Sequence, residues 1–359
     1  METLLIDHVR QAIADRTPLC IQAGGSKAFY GRHCQGEPLE VSGHSGDIRY
    51  EPSELVLTAR AGTKLSEIEA LLAANNQMLP FEPPHFSPAA TLGGMVAAGL
   101  SGPRRPWGGS VRDAVLGVRL LNGRGEVLRL GGQVMKNVAG YDLSRLMVGA
   151  LGTLGVLLEV SIKVLPRPAE ERTLVFELDS VAAATRQIEW GRRPLPLSAT
   201  LFQDARLHVR LSGSAQGVQA ARAAMGGEEV RSHAGAVRSH AGAWERDIWA
   251  EVRDQTLALF LTATPLWRVS LPAAAPALPG ERLTEWGGAL RWLATDESGE
   301  TLRQRVATLG GHATLFRGHD GSGEVFHPLP PAMLALHQRV KQALDPHGLF
   351  NPGKLYQGL

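Results

Sequence analysis

The sequence predicts an α+β protein with two domains, and three observations support this prediction. The chain has 359 residues, more than twice the roughly 150 residues of an average domain. Segments typical of strands and helices alternate along it: residues 4–14 carry apolar side chains at helical spacing, and residues 18–23 form an apolar run that ends in two glycines. Pro166 and Pro168 close a glycine-rich first half, so we predict the domain boundary at this proline pair.

The composition excludes several functional classes. Lys and Arg number 37 against 35 Asp and Glu, and a net charge of +2 does not indicate a nucleic-acid partner. The most apolar stretch, residues 89–100, is shorter than the roughly 20 residues that a membrane-spanning helix needs. The first residues do not form a secretory signal, so we expect a cytoplasmic protein. Cys20 and Cys34 are too few for a disulfide-rich scaffold, and we expect both to pack as ordinary side chains.

Local patterns predict further elements in the first half. Residues 55–59 read as a strand, and the helix that follows has two plausible N-caps, Thr63 and Ser66. Residues 115–130 predict a β-hairpin, because two apolar runs flank the turn sequence Asn-Gly-Arg-Gly. A further strand over 154–164 leads to the proline pair. Beyond it, strands and helices alternate again, which predicts an α+β second domain.

Three glycine-rich segments lie between predicted strands of the first half: Gly24–Lys27, Thr91–Gly102 and Gly149–Gly155, called here the first, second and third glycine segments. A glycine turn after a strand offers backbone N–H groups, and Lys27 adds a cation, which together suit a diphosphate. The sequence lacks GxxxxGK[ST], and the third segment spaces its glycines by three, which does not fit the dinucleotide motif. Ordinary turns explain each segment equally well taken singly. Three of them in one domain predict an extended cofactor.

Several motifs, in order along the chain, resemble the PCMH-type FAD-binding fold of the vanillyl-alcohol-oxidase-like flavoproteins. They lie at residues 22–27, 91–97, 107–108 with 115–117, 137–143, 152–156 and 345–354. Within this family the chain is most similar to the FAD-binding subunits of bacterial glycolate oxidases. The resemblance is dense up to Pro168 and thin from there to about residue 313.

The resemblance implies a domain organisation. Residues 1–167 would form a PCMH-type FAD-binding domain made of two α/β subdomains. Residues 168–330 would form an α+β cap or substrate-type domain, and residues 331–359 a C-terminal helix and tail that pack back on the FAD domain. Covalent relatives attach their flavin through a histidine of the first loop, and this chain has none there, so we expect non-covalent FAD.

The resemblance also assigns FAD contacts. The first glycine segment matches the family's first diphosphate loop, the second segment matches the second loop, and the third matches a stretch along the flavin and its ribityl chain. The predicted cofactor-binding residues are Gly24, Gly25, Ser26, Lys27, Pro84, Thr91, Gly93, Gly94, Ser101, Gly102, Gly152, Thr153, Gly155 and Val156.

One segment departs from the catalytic relatives. The D-lactate dehydrogenases carry Gly-His-x-Gly-Asp-Gly-Asn-x-His and a later Glu-His-Gly, which bind a metal and the 2-hydroxy acid. Residues 318–328 here have one residue more between the histidines, with Ser322 and Glu324 in place of the aspartate and asparagine, and the Glu-His-Gly is missing. We therefore predict no metal site. His319 and His327 are the predicted catalytic residues.

Two functions stay open at this point, and a stand-alone flavin reductase or oxidase of the same fold is a minor third. In the first, the chain is an FAD-binding subunit of a glycolate oxidase complex that oxidises glycolate to glyoxylate, and His319 or His327 takes the hydroxyl proton. In the second, it binds FAD but is a structural or electron-relay partner. Both imply a paralogous catalytic flavoprotein and an iron–sulfur subunit as partners, no nucleic acid, and at most peripheral attachment to the inner membrane through those partners.

A short duplication in the second half carries two histidines. The heptad Arg-Ser-His-Ala-Gly-Ala-Val is followed by a nearly identical copy over residues 238–244. His233 and His240 are seven residues apart, as two metal ligands on a helix would be, but a slipped duplication in a surface loop is the better interpretation. We assign them no chemistry.

We expect ordinary structural roles for several arginines and tryptophans. Arg104, Arg105 and Arg112 have the chemistry to clamp a substrate carboxylate, but we expect them to be solvated or paired with acids. Tryptophans concentrate in the second half, where a subunit contact is the alternative to core packing. We expect core packing for this group, which comprises Trp244, Trp249, Trp267, Trp286 and Trp292.

Overall fold

A computed structural model describes residues 1–132, 142–233, 236–238, 244–245, 247–318, 321 and 323–359. The chain forms two compact units. Unit 1 comprises Met1–Leu100, Ser110–Pro166 and Asp320–Leu359, and unit 2 comprises Ser101–Gly109 and Arg167–His319. The boundary after Pro166 lies at the predicted proline pair, whereas residues 101–109 belong to unit 2 and residues 320–330 to unit 1.

The helices and strands have the following bounds. The helices are α1 (Glu2–Asp15), α2 (Leu65–Ala74), α3 (Leu92–Ala98), α4 (Arg105–Gly108), α5 (Val111–Ala114), α6 (Leu143–Leu146), α7 (Ser180–Gly191), α8 (Ala215–Met225), α9 (Ile248–Arg253), α10 (Gly299–Thr308) and α11 (Pro331–Leu344). The strands are β1 (Leu19–Gln22), β2 (Glu37–Glu40), β3 (Arg49–Glu51), β4 (Val56–Arg60), β5 (Gln77–Met78), β6 (Val115–Leu121), β7 (Val127–Gly131), β8 (Val156–Lys163), β9 (Leu165–Pro166), β10 (Glu170–Glu177), β11 (Leu197–Gln203), β12 (Arg206–Gly213), β13 (Glu228–His233), β14 (Ala236–Arg238), β15 (Trp244–Glu245), β16 (Leu266–Ser270), β17 (Glu281–Glu285), β18 (Leu290–Ala294) and β19 (His312–Arg317).

The described residues of unit 1 form two hydrophobic cores. An antiparallel sheet with the order β3-β4-β8-β6-β7 packs against α2 and α3, where Leu65 and Leu92 are fully buried. A second core lies between α1 and the parallel pair β1-β2, because α1 points Leu5 and Val9, one helical turn apart, toward the same cluster. Phe350, from the C-terminal tail, is buried in this second core.

Unit 2 is built on one long antiparallel sheet. In the part of the chain that the structure describes, its order is β15-β14-β13-β10-β12-β11-β17-β18-β16-β19. Trp190 and Trp267 are each buried in a separate core cluster on this sheet. Core packing is confirmed for Trp249, Trp267, Trp286 and Trp292, which are all buried; the side chain of Trp244 lies outside the described residues. No helix within the described ranges is long and apolar enough to cross a membrane.

The two cysteines form a disulfide, so the expectation of ordinary packing for both is wrong. Cys20 in β1 is joined to Cys34, and their Cα atoms are 6.0 Å apart. The reason is the path of the chain, which leaves β1, makes the first glycine segment and returns beside its own start. On this return Glu37 N donates to Pro18 O at 2.8 Å, and a Cβ on Gly36 would lie 2.6 Å from the same oxygen.

The N-cap of helix α2 is neither of the two predicted residues. Its N-cap is Lys64, whose side chain makes no capping hydrogen bond. The hydroxyl of Thr63 instead accepts from the backbone N–H of Gly46 at 2.9 Å. Thr63 is therefore held by a neighbouring loop, and Ser66 lies inside the helix.

Candidate functional site

The first glycine segment is a tight turn at the end of β1. A Cβ on Gly24 would lie 1.5 Å from the carbonyl oxygen of Ala89, so no other residue fits at this position. Gly25 has φ +64°, in the left-handed region that side chains disfavour, and nothing lies within 4 Å of where its Cβ would be. Ala28 N donates to Gly25 O at 3.0 Å and closes the turn.

The backbone N–H groups of this turn can donate hydrogen bonds to a ligand. Those of Gly24, Gly25 and Ser26 make no hydrogen bond to any residue that the structure describes. Consecutive N–H groups around a left-handed residue form a concavity that binds anions. Lys354 lies beside it and donates to Ala28 O at 3.3 Å, while burial lowers the pKa of the Lys354 ammonium. The turn therefore fits the diphosphate that the sequence predicts there.

A second cation and an aromatic ring complete the surroundings of this turn. The Lys27 ammonium is 3.3 Å from Ser26 Oγ and 3.4 Å from His85 O, and it lies 5.4 Å from the centroid of the Phe86 ring. The predicted cofactor-binding residue Pro84 is buried and directly precedes His85 and Phe86 in the chain. The structure thus brings the segment around Pro84 to the first glycine segment.

The second glycine segment starts α3, with Thr91 as its N-cap. Its N–H groups already have acceptors within the protein: those of Leu92, Gly93 and Gly94 donate to Thr63 O at 2.9 Å, Ala61 O at 2.7 Å and Thr91 Oγ1 at 3.2 Å. This helix start can therefore contact a ligand through its surface, whereas the first segment can also donate backbone hydrogen bonds to it.

The two glycines of α3 have different surroundings. A Cβ on Gly93 would lie 2.8 Å from the Cβ of Ala61, so Gly93 permits the close packing of α3 on the segment after β4. A Cβ on Gly94 would meet only Thr91 Oγ1, at 3.1 Å. No other described atom lies within 4 Å of that position, and half-buried Gly94 is the residue of this helix start that a flat ligand can approach.

The third glycine segment packs against its own chain. Gly152 has φ +73°, and its Cβ would lie 2.6 Å from the Asn351 amide nitrogen. Thr153 is buried, with its hydroxyl donating to Ala150 O at 2.7 Å. A Cβ on Gly155 would lie 2.7 Å from Leu121 O, and Val156 opens β8 fully buried.

The structure brings the third segment against the second within unit 1. Gly149 N donates to Val96 O at 3.0 Å, and Leu151 N donates to Ala97 O at 2.9 Å. The third segment therefore lies along α3. The predicted contacts from these segments to FAD stay a prediction.

The remaining predicted residues of the second segment belong to unit 2. Gly102 follows Ser101 in the chain, and its carbonyl oxygen accepts a hydrogen bond from Trp286 Nε1 at 3.1 Å. Arg104 is buried and pairs with Glu171 at 2.5 Å, and the Arg105 guanidinium lies 4.6 Å from the Trp286 ring centroid. Arg112, in unit 1, donates to Val148 O at 3.4 Å. Arg104 thus has the acid partner that we expected.

One predicted catalytic histidine can be located. His319, with Asp320 and Ser322, lies outside the described residues. His327 is half-buried in unit 1, and its carbonyl oxygen accepts from the Tyr356 hydroxyl at 3.1 Å. No group of three or more His, Cys, Asp or Glu side chains that would hold a metal occurs among the described residues. The predicted lack of a metal site stays a prediction.

The segment around His327 packs just beyond the first glycine segment. His33 N donates to Gly321 O at 3.0 Å, and Arg32 Nη1 donates to Gly323 O at 2.8 Å. The Phe326 ring meets Tyr30 edge-on, with centroids 5.4 Å apart. Gly321, Gly323 and Phe326 of the altered motif therefore lie beside the residues that follow the predicted diphosphate turn in unit 1.

A buried polar cluster near the C-terminus was not predicted as part of the site. Lys341 Nζ donates to Asp345 Oδ2 at 2.8 Å and to the carbonyl oxygens of Thr153 and Phe350 at 2.7 and 2.8 Å. Burial lowers the pKa of Lys341, and the Asp345 carboxylate opposes that shift. The available signals were the helical spacing of Lys341 and Asp345 and the terminal motif over residues 345–354.

Comparisons with known proteins agree with this arrangement. Residues 2–131 match the FAD binding domain family, and residues 324–355 match the C-terminal domain family of FAD linked oxidases. The glycolate oxidase subunit GlcE of Escherichia coli is 50% identical over 357 residues, which cover 99% of this chain and 97% of that protein. The D-lactate dehydrogenase of Archaeoglobus fulgidus is 23% identical over 390 residues, covering 95% and 86%.

Two further proteins are similar to this chain, one over a shorter stretch and the other in structure at low sequence identity. The glycolate oxidase subunit GlcD of Bacillus subtilis is 33% identical over 139 residues, 38% of this chain and 30% of that protein. A solved structure of alkyldihydroxyacetonephosphate synthase has a TM-score of 0.67 at 15% identity and covers 98% of this chain and 75% of its own. The predicted fold class and the FAD cofactor are confirmed. Since one relative is half identical over nearly the whole of both chains, this protein belongs to the family of the glycolate oxidase subunit GlcE.

Proposed function

We propose that this chain is the FAD-binding subunit of a glycolate oxidase complex that converts glycolate to glyoxylate. The observation that carries the proposal is the 50% identity to the E. coli subunit, which leaves neither compact unit unmatched. FAD, when bound, supplies an acceptor for the hydride of a 2-hydroxy acid. The location we propose is cytoplasmic, with attachment to the inner membrane only through partners.

The residues of unit 1 would hold the cofactor without a covalent bond. The N–H groups of Gly24, Gly25 and Ser26, which have no acceptor among the described residues, would bind the diphosphate together with the Lys27 ammonium. The open face at Gly94 would accept a flat part of the molecule. Thr91, Gly93, Gly152, Thr153, Gly155 and Val156 would shape the surface around it, and Pro84, Ser101 and Gly102 remain proposed contacts.

A second candidate function differs in where the chemistry takes place. In it, the chain carries FAD but relays electrons or supports a paralogous catalytic flavoprotein. The altered motif favours it, because Ser322 and Glu324 replace two residues of the metal-binding pattern of the D-lactate dehydrogenases. The similarity of 139 residues to a GlcD subunit supports a partner of that kind, and an iron–sulfur subunit is part of the same proposal.

The experiment compares the isolated chain with the chain expressed beside its partner subunits. We expect the isolated protein to be yellow, to release its flavin on denaturation, and to show no glycolate-dependent dye reduction, with or without added Zn²⁺ or Mn²⁺. Coexpression should restore activity, because a 2-hydroxy carboxylate needs its charge neutralised and its hydroxyl acidified beside the flavin. Dye reduction by the isolated chain that His319→Ala or His327→Ala abolishes would instead assign the catalysis to this subunit.

A further inference from the structure

One buried side chain connects the third glycine segment to β1, the strand that leads into the first segment. Asn351 Oδ1 accepts a hydrogen bond from Ile21 N at 2.7 Å, and Asn351 Nδ2 donates to Leu151 O at 2.6 Å. Ile21 belongs to the strand that leads into the first glycine segment, and Leu151 lies in the third. The amide suits both contacts, since one partner is a donor and the other an acceptor, whereas an ionised carboxylate could only accept.

The backbone around this amide is adapted to it. Asn351 has φ +42°, in the left-handed region where asparagine is enriched, and Leu151 has φ +49°. Gly152 has no Cβ at the point where one would lie 2.6 Å from the amide nitrogen. The predicted FAD contact Gly152 therefore has a second explanation, which is that it makes room for Asn351.

The backbone of the tail is fixed to β1 on its own account. Leu19 N donates to Leu349 O at 2.8 Å, and Asn351 N donates to Leu19 O at 2.9 Å. Leu19 and Phe350 form a parallel bridge. These backbone hydrogen bonds between the tail and β1 do not involve the side chain at position 351, which extends the connection to Leu151 in the third segment.

A second connection lies next to the first. Lys341 Nζ joins Thr153 O to Phe350 O, and the buried Asp345 accepts from the N–H groups of Leu349 and Phe350 at 3.0 and 2.8 Å. The third segment is therefore tied at residues 151 and 153 to tail residues 351 and 350. Two adjacent ties fix the orientation of a loop as well as its distance.

We propose that Asn351 is a positioning residue for the cofactor, which holds the first and third glycine segments in the spacing that FAD requires, and that Lys341 and Asp345 fix the tail from which it acts. The inference rests on the proposed placement of FAD at these segments. It concerns the hydrogen-bonding capacity of one amide, which a substitution can remove without removing bulk.

The test uses Asn351→Asp and Asn351→Leu and measures the rate at which diluted holoprotein releases fluorescent FAD. We expect Asn351→Leu to release FAD about tenfold faster or more at every pH, because two buried hydrogen bonds are lost. Asn351→Asp should release it fast at about pH 8, where the carboxylate cannot donate. Burial of position 351 raises the pKa of the introduced carboxyl above its ordinary value of about 4, so at about pH 5 a share of it is protonated, donates and accepts, and release should slow toward the wild-type rate. The visible circular dichroism of the bound flavin should change and recover in step.

Controls separate the groups that titrate nearby. Among the described residues, the charged groups that contact the tail near position 351 include Lys341, Asp345 and Lys354, together with Arg32, whose Nε donates to Gly353 O at 3.1 Å; the sulfur of Cys34 is held in the disulfide. All of these are present in the wild type, which should show no comparable recovery at low pH. Leu344→Ala removes a buried apolar side chain of α11 without touching either tie, so it should lower stability with no pH-reversible change in FAD release.

Two outcomes would overturn the inference, and neither coincides with failure of the proposed cofactor site. Asn351→Leu that folds and releases FAD at the wild-type rate contradicts it. So does Asn351→Asp that releases FAD at the wild-type rate at about pH 8, where its carboxylate cannot donate to Leu151 O, a result that decides the matter even where Asn351→Leu fails to fold. If Lys27→Gln, which alters a proposed contact, also leaves FAD release unchanged, the first segment has been wrongly assigned; if Lys27→Gln alone accelerates release, the assignment stands and the positioning role fails.

Discussion

The first and second glycine segments of unit 1 have similar compositions but opposite hydrogen-bonding states. In the first, the N–H groups of Gly24, Gly25 and Ser26 have no partner within the described residues. In the second, the N–H groups at the start of α3 all donate to protein oxygens, among them that of Gly93 to Ala61 O at 2.7 Å. The first segment can therefore donate to an anion, while the second uses its glycines mainly to bring backbones together.

This difference shows what a glycine-rich sequence leaves open. A glycine permits the close approach of a ligand or of another part of the chain, and composition does not distinguish the two. The distinction lies in which N–H groups have acceptors and in what a Cβ would meet. Each of the following predictions tests one side of the contrast.

The largest effect is expected inside the first segment, at Gly24. The Cβ of Gly24→Ala would lie 1.5 Å from Ala89 O, so the turn or the segment at Ala89 must move, and we expect a loss of about 3 kcal/mol or more in the free energy of unfolding. Gly25→Ala is the matched control, since its Cβ meets nothing and only its φ of +64° resists, at about 1–2 kcal/mol. Urea unfolding of both variants measures the difference. Equal stabilities would show that the turn is less constrained than the structure indicates.

The disulfide distinguishes the first segment from the second, because it closes the stretch of chain that contains only the first. Cross-links of about this loop length contribute about 3 kcal/mol by restricting the unfolded chain. We expect the double variant Cys20→Ser, Cys34→Ser to unfold at lower urea concentration by that amount. Reductant should shift the wild type to the same midpoint and leave the double variant unchanged. A wild type that does not respond to reductant would contradict the prediction.

Within the second segment, two neighbouring glycines should give different phenotypes. Gly93→Ala places its Cβ 2.8 Å from that of Ala61, and we expect a cost of about 1–3 kcal/mol in stability. The Cβ of Gly94→Val would meet one described atom, Thr91 Oγ1 at 3.1 Å, so we expect a folded protein with a reduced flavin-to-protein ratio. His233→Ala and His240→Ala, in the duplicated stretch, should leave the ratio unchanged. Normal flavin content in Gly94→Val would remove the second segment from the cofactor site.

Local sequence patterns predicted the elements whose determinants are local. The hairpin over 115–130 appears as β6 and β7, because its turn is closed by its own residues: Asn122 Oδ1 accepts from the N–H groups of Arg124 and Glu126. The first strand of this hairpin, β6, spans Val115–Leu121 and begins at the predicted residue 115. The first glycine segment was likewise readable from its strand and turn.

Contacts between distant parts of the chain were not readable in this way. Asn351 meets Ile21 and Leu151, which are 330 and 200 residues away, so no spacing in the sequence relates them. The start of α2 was displaced because the Thr63 hydroxyl bonds Gly46 rather than its own helix. In each case, a side chain of a type that often hydrogen-bonds to its own neighbouring backbone instead bonds to a distant segment of unit 1.

The smallest effect is expected at Lys27, and it tests the contrast through charge. The first segment has an ammonium beside its free N–H groups, 3.3 Å from Ser26 Oγ, whereas the start of α3 carries no charged residue. Lys27→Gln should leave stability unchanged and weaken FAD binding by about tenfold at low ionic strength, the effect of removing one charge-assisted contact to phosphate. Because salt screens such a contact, the difference between variant and wild type should shrink as the salt concentration is raised. FAD titrations of the two proteins at low and high salt measure this, with Gly94→Val as the control whose defect is steric and should be the same at both. A Lys27→Gln defect that does not depend on salt would mean that the lysine acts through its contact with His85 O and the Phe86 ring rather than on the diphosphate.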